Sequence, residues 1–328
     1  MIIPNIRNNK IIIISDSNVW KLYKNYILKK FLNSIAKTEV ITWIGPQGEK
    51  IKSIKNYELA SNYILSKNIN RNSLIIAIGG GAVSDFAGFL ASTLLRGIRW
   101  IAIPTTLLAM IDASIGGKTA INVGAGKNLI GTFYPPIKII IDTNFLKSFT
   151  SNKIIDYQTA YGELIKYAFL DEKIYKILIR QKPNIITNKL IHKCIDYKNK
   201  IVKKDPYEKK GIRFILNYGH TFGHAFEKQY NIPHGQAVLL GIEFILKHFT
   251  KNKTLLETKF YNLIKLHNLQ NLLEIKKRNI NQFLDFVLKD KKRSSSKYIK
   301  LVVINKIGSA QVVNVTLNTV MEKIKNEY

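Results

Sequence analysis

Residues 75–92 read IIAIGGGAVSDFAGFLAS. A β-branched apolar run ends in three glycines, Gly79, Gly80 and Gly81, and a stretch with helical spacing follows. Backbone without side chains lets a phosphate approach closely, and a helix N-terminus favours negative charge, so this turn suits a nucleotide pyrophosphate. The pattern is not GxGxxG, and an ordinary tight turn between strand and helix uses the same residues. Outward from it the alternation repeats. KIIII (10–14), VITWIG (40–45) and RWIAIP (99–104) are strand-like, whereas VWKLYKNYILKKFLNSI (19–35) and YELASNYILSKN (57–68) have helical spacing. Such a rhythm predicts a parallel sheet covered by helices. From about Phe149 long helical patterns take over: YQTAYGELIKYAFL (157–170), TFGHAFEKQ (221–229) and AVLLGIEFILKHF (237–249), with a late strand-like KYIKLVVIN (297–305). The expected organisation is an α/β domain over residues 1–149 and a mainly α-helical domain over 150–328.

The 328 residues are 46% hydrophobic and 22% charged, a globular composition. No apolar run reaches the ~18 residues of a membrane span. The first apolar run is cut by Ser15 and Asp16, which reads as a first strand and its loop and not as a signal peptide. Cys194 is the single cysteine, so no intrachain disulfide forms, which suits the cytoplasm. The net charge of +29 is a field that attracts anions of any size. Its lysines and arginines are scattered through NYILKKF, KIYKILIRQK and EIKKRNINQF, with no dense block and no interleaved aromatics. That distribution fits compositional drift toward Lys, Asn and Ile on solvated faces, with no specific nucleic-acid partner and no membrane partner.

Three further stretches carry chemistry. Residues 103–136, IPTTLLAMIDASIGGKTAINVGAGKNLIGTFYPP, set Thr105, Thr106, Asp112, Lys118, Lys127 and Asn128 among glycines. Fixed cations beside glycine-rich backbone suit a substrate with a carboxylate and a phosphate, and the plainer reading is a glycine-rich surface loop. AYGELIKYAF (160–169) puts Glu163 and Lys166 three apart on one helix face, in apolar surroundings that favour burial. NYGHTFGHAFEKQYNIPHG (217–235) holds three of the six histidines: His220, His224 and His234. His220 and His224 are spaced i, i+4, as on zinc-binding helices, while His234 stands at a loop or helix start. Three histidines and a carboxylate exceed an open tetrahedral site by one ligand, so one of these groups does something else.

Together these segments resemble the 3-dehydroquinate synthase family. The resemblance runs from about Asp16 to the C-terminus and is densest in GGGAVSDFAGFLAS, the 96–136 region, GELIKYA, NYGHTFGHAFE, HGQAV and KDKK. It implies an α/β nucleotide-binding domain followed by a mainly helical metal- and substrate-binding domain. It also implies an NAD-dependent lyase, carrying Zn2+ or Co2+, that turns 3-deoxy-D-arabino-heptulosonate 7-phosphate into 3-dehydroquinate and phosphate. In that family NAD oxidises a secondary hydroxyl, phosphate is eliminated, the cofactor returns its hydride, and an aldol closure completes the ring. By the same resemblance Glu163, His220 and His234 are the metal ligands, and His224 faces the substrate phosphate. Asp112, Lys118, Asn128, Lys166, Lys198, Glu208, Arg213, Asn217 and one of Lys291 or Lys292 fall at substrate positions. Arg96 matches an arginine that family homodimers extend toward the partner's site. Asp16, Asn18, Glu49, Lys52, Gly79, Gly80, Gly81, Asp85, Thr105, Thr106, Asp112, Lys118, Lys127 and Asn128 match the cofactor site.

The chain departs from the pattern in places. It begins late relative to the family, Ser84 stands where a glycine is usual, FLKSFT lacks Leu-Pro, and DPYEKKGIRFILN carries one extra residue beside Lys198 and Glu208. Rival readings are another sugar-phosphate cyclase of the same fold, a polyol dehydrogenase that would release NADH, and a basic nucleic-acid-binding relic. The intact GGKTAIN, GKN and NYGHTFGH segments favour the synthase.

Overall fold

The structure, a computed structural model, describes residues 10–32, 38–148, 154–183, 185–275, 280–288 and 297–327. It divides into two units, Met1–Thr150 and Ser151–Tyr328.

In the first unit, the isoleucine-rich run becomes β1 (Ile11–Asp16), six consecutive buried residues. Burial on both faces is what a central parallel strand requires, and it explains the lack of alternation in the sequence. α1 (Ser17–Ile27) follows, then β2 (Val40–Gly45), α2 (Ile54–Leu65), β3 (Leu74–Gly79), α3 (Gly81–Thr93) and β4 (Arg99–Pro104). β5 (Lys118–Val123), β6 (Gly126–Phe133) and the short β7 (Lys138–Ile139) complete the unit. The main sheet is parallel with strand order β2-β1-β3-β4-β7. The order reverses between β1 and β3, and the crevice beyond their carboxyl ends is where open α/β sheets bind ligands. α3 is apolar nearly all round because it lies between β3 and β5, with Phe86 stacked on Trp43 at 5.2 Å. α1 is held to the segment after β7 by Tyr26 and Lys30, which donate to Asp142 at 2.6 and 2.5 Å.

The region whose plainer reading is a glycine-rich loop forms a hairpin. β5 and β6 pair antiparallel, joined by Gly124 and Ala125, with an irregularity at Asn122. Its lysines therefore sit on a hairpin, which a scan for alternating apolar residues misses because β6 is largely exposed.

The second unit is mainly helical. It holds α4 (Ile154–Leu170), α5 (Glu172–Leu178), α6 (Asn188–Lys204), α7 (His220–Tyr230), α8 (His234–Phe249), α9 (Lys253–Leu266), α10 (Ile280–Leu288) and α11 (Leu317–Glu327), together with an antiparallel pair, β8 (Tyr298–Lys306) and β9 (Ser309–Thr316), on which α8, α9 and α11 pack. α8 is its axis: ten of its residues are buried, and α4 and α7 both pack on it. No described helix is long and apolar enough to cross a membrane.

Glycines set how closely these helices approach. A Cβ on Gly162 of α4 would lie 2.1 Å from the Gly235 carbonyl oxygen of α8. A Cβ on Gly241 would lie 1.9 Å from the Gly219 carbonyl oxygen, and Gly219 itself has φ +81 at the start of α7. The neighbours of these glycines in sequence are Glu163, His234 and His220.

Candidate functional site

Three helices deliver one cluster. Glu163 from α4, His220 from the start of α7 and His234 from the start of α8 place one ligand atom each within 4.8 Å of one another, the only such group among the described residues. His220 Nε2 and His234 Nε2 each stand 3.3 Å from Glu163 Oε1. A tetrahedral ion ~2.0–2.2 Å from its ligands separates neighbouring ligand atoms by roughly 3.3–3.6 Å, a spacing that these distances match. Glu163 is fully buried: its Oε2 is paired with Lys166, and its Oε1 faces only the two imidazoles at the long distance of 3.3 Å, which leaves that oxygen available to a cation. The donor set of two imidazoles and one carboxylate leaves an open position and fits a borderline divalent ion.

The electrostatics support the cluster without an ion. Burial works to raise the Glu163 carboxyl, but Lys166, paired with Oε2, and the two imidazoles hold it well below the usual range. Burial pushes His220 down to about 4 against the pull of Glu163. Burial acts on His234 in the same sense, yet hydrogen bonds to Glu163 and Glu227 overrule it and push the ring up to about 9.

His224 belongs to the same face of α7 but not to the trio: its ring centroid is 5.6 Å from that of His220 and 6.3 Å from that of His234. The i, i+4 pairing that the spacing alone suggests is therefore not the ligand pair that the fold assembles. Arg213 and Asn217 lie on the short 3-10 turn Ile212–Asn217 that leads into α7, and α6, which carries the buried Lys198, packs on that turn. Asp205 organises the loop before it, accepting from the backbone N–H groups of Lys210, Ile212 and Arg213 at 3.0–3.3 Å. Sequence reading overlooked Asp205, whose role is invisible until the loop closes. Glu208 sits inside this loop, half-buried and left-handed at φ +57. Lys291 and Lys292 lie outside the described residues.

The first unit gathers a second set. Asp16 ends β1 and Gly79 ends β3, so both stand at the carboxyl ends of the strands flanking the switch point. Asp16 Oδ1 caps α1, accepting from the N–H groups of Asn18 and Val19 at 2.9 and 3.0 Å. The three glycines are chosen for space and not for backbone freedom. Gly80 has φ −72, while a Cβ on Gly79 would meet Val83 at 2.5 Å and one on Gly81 would meet Ala113 at 2.9 Å. Thr106 lies against Gly80, and the Thr105 N–H donates to the Gly79 carbonyl at 2.9 Å. Thr105 Oγ1 is buried without a protein partner, an orphaned polar atom beside the turn.

Lys52, buried, donates to Asp85 at 2.6 Å and also to Asn128 Oδ1, and lies 3.9 Å from Glu49. Asn122, another residue that sequence reading passed over, ties this net together. It donates to Glu49 at 2.9 Å and accepts from the backbone N–H of Asn128, itself left-handed at φ +58. Lys127 and Lys118 are exposed on the hairpin, and Asp112 sits on a short π turn, Ala109–Ala113. Arg96 is exposed on a turn where it and Leu95 both have positive φ, +65 and +50, conformations that cost a non-glycine residue energy.

Comparison with known proteins agrees with this geometry. The family model described as the 3-dehydroquinate synthase N-terminal domain matches residues 42–156, and its C-terminal counterpart matches 160–293. A 3-dehydroquinate synthase of Pelagibacter ubique (strain HTCC1062) is 38% identical over 320 residues, 92% of this chain and 84% of the relative. That of Endomicrobium trichonymphae is 38% identical over 331 residues, 98% of this chain and 90% of the relative. Among solved structures, 2-deoxy-scyllo-inosose synthase complexed with carbaglucose-6-phosphate, NAD+ and Co2+ superposes with a TM-score of 0.80. It is 25% identical and covers 99% of this chain and 92% of its own.

Proposed function

This chain belongs to the 3-dehydroquinate synthase family, and on that premise we propose that it is a phosphate-eliminating lyase of aromatic biosynthesis, the shikimate and chorismate route. It converts 3-deoxy-D-arabino-heptulosonate 7-phosphate to 3-dehydroquinate and phosphate, using NAD and Zn2+ or Co2+. The observation that carries the reading is the Glu163–His220–His234 trio, whose 3.3 Å separations match ligands around one small divalent ion. When bound, NAD+ supplies a reversible hydride acceptor, and the metal supplies Lewis-acid polarisation of the hydroxyl that is oxidised.

The chain's own residues do the rest. Glu163, His220 and His234 hold the ion, and Lys166 neutralises the Glu163 oxygen turned away from the histidines. Arg213, Asn217, Lys198, Glu208 and His224 are substrate-binding residues, and so are Asp112, Lys118, Asn128 and one of Lys291 or Lys292 from KDKK. Elimination concentrates negative charge on the departing phosphate oxygens, where fixed donors such as Arg213 and His224 stabilise the transition state most. Asp16, Asn18, Glu49, Lys52, Gly79–Gly81, Asp85, Thr105, Thr106 and Lys127 hold the cofactor. Asp112, Lys118 and Asn128 also border it. Residues 1–149 thus form the nucleotide-binding domain and 150–328 the metal and substrate domain. The enzyme works in the cytoplasm as a homodimer to which Arg96 contributes across the interface, and its charge of +29 serves small anions and not nucleic acid or membrane.

The test is phosphate release from the heptulosonate phosphate. Release is expected to need NAD+, to stop with a chelator and to return with Zn2+, with no accumulation of NADH because the hydride goes back within each turnover. NADH rising in step with product would mean a simple polyol dehydrogenase. A second measurement concerns His224. His224→Ala is expected to keep its metal and lose roughly 10²-fold or more in turnover, the usual effect of removing one transition-state donor. Loss of metal from that variant, with retention in His234→Ala, would put the ligands on the wrong histidines.

A further inference from the structure

His220, His224 and Glu227 follow one another along α7 at i, i+4 and i+7, so they share one face of that helix. α7 stops at Tyr230, Asn231 turns left-handed at φ +51, and α8 begins at His234. This short reversal brings the first side chain of α8 back against the last turn of α7. There His234 Nδ1 meets Glu227 Oε2 at 3.1 Å, while the opposite nitrogen, Nε2, faces Glu163 Oε1.

The chemistry of that contact fixes the ring. An ionised carboxylate only accepts, so the Nδ1 that faces Glu227 keeps its proton, and Nε2 is the nitrogen left to offer its lone pair when an ion takes the place of a proton there. His220 reaches the same tautomer by another device: its Nδ1 donates to the backbone carbonyl of Tyr218 at 3.1 Å. The two ligands thus differ in what stands behind them, a neutral carbonyl for His220 and a charged side chain for His234. They differ in confinement as well. The His220 side chain is 11% exposed and is held by its surroundings, whereas that of His234 is 35% exposed. The looser ring has the stronger tether.

We propose that Glu227 is the positioning residue of the metal centre, aiming His234 at the ion and strengthening it as a ligand. The inference rests on the reading of Glu163, His220 and His234 as the metal site. A carboxylate behind a ligating histidine raises its donor strength, and removing such a partner commonly costs 10–100-fold in metal affinity.

The test uses the full-length protein, stripped of metal and titrated with Zn2+ against a chromophoric chelator. Glu227→Ala is expected to bind Zn2+ about 10–100-fold more weakly than the parent. Glu227→Gln is expected to fall between them, since its amide oxygen still accepts from Nδ1 but brings no charge. Loaded with Co2+, both variants are expected to show shifted visible absorption bands, reporting a changed ligand field at the ion. The metal-free unfolding midpoints are expected to stay close to the parent's. Parental Zn2+ affinity and an unchanged Co2+ spectrum in Glu227→Ala, alongside metal loss in His234→Ala, would overturn the role of Glu227 while leaving the site intact. A lowered metal-free midpoint with parental affinity would reduce Glu227 to a structural residue. Parental metal binding by His234→Ala would instead overturn the ligand assignment underneath.

Discussion

His220→Ala is expected to purify as a folded protein with no stoichiometric metal and with turnover reduced by about three orders of magnitude or more. The loss of metal follows from geometry. Both ligand-to-ligand contacts at Glu163 Oε1 come from the histidines, and removing His220 leaves a carboxylate and a single, partly exposed imidazole. Two ligands do not hold a borderline divalent ion against solvent at cellular concentrations. The loss of rate follows from the several kcal/mol that a Lewis acid contributes to charge development, each 1.36 kcal/mol being tenfold. The fold survives because the buried Glu163 keeps Lys166 as its partner. Elemental analysis and far-UV circular dichroism on the same preparation decide the matter: a folded variant with one metal per chain would mean that His220 is not a ligand.

Gly162→Ala is expected to be among the most damaging single-methyl changes in the second unit. The new Cβ would sit 2.1 Å from the Gly235 carbonyl oxygen, a backbone atom that no rotamer can move. α4 and α8 must then part by an ångström or more. Overpacking of this kind costs about 3 kcal/mol, a fall of roughly 6–12 °C in Tm for a unit of this size. The same displacement separates Glu163 from His234, because each adjoins the contact: Glu163 follows Gly162, and His234 precedes Gly235. A shift of about 1 Å at a reacting site lowers turnover by ~10²-fold, and metal affinity is expected to fall with it. Gly124→Ala, where a Cβ meets nothing within 4 Å, is the control and is expected to change stability by no more than about 0.5 kcal/mol. Equal melting temperatures for the two variants would contradict the close-approach account.

Much of this architecture is legible in the residues. Ile11–Ile14 and Leu74–Ile78 read as strands because both faces are buried, and their spacing from helical stretches gives the parallel sheet. The β5–β6 hairpin is not legible in the same way. Its exposed strand lacks alternation, and its glycines imitate a loop. At the metal centre, spacing alone points to His220 with His224, whereas the fold pairs His220 with His234. The difference arises from the helix reversal at Asn231 and from helix-to-helix glycine contacts, both long-range effects that periodicity does not encode. Nothing in the sequence pattern singles out Glu227. Its contact with His234 exists only after α8 folds back. Asn122 and Asp205 escape for the same reason, since each organises backbone groups that are distant from it until the loops close.

The pairing of Lys166 with Glu163 bears on how the protein lives between ions. A buried carboxylate stripped of its cation is ordinarily a strong incentive to unfold. Here an ammonium on the same helix, three residues along, stays behind when the ion leaves. Such a scaffold is expected to stay assembled when its metal leaves. A chelated sample is then expected to be a dormant enzyme rather than a ruined one, and one preparation to accept zinc or cobalt in turn.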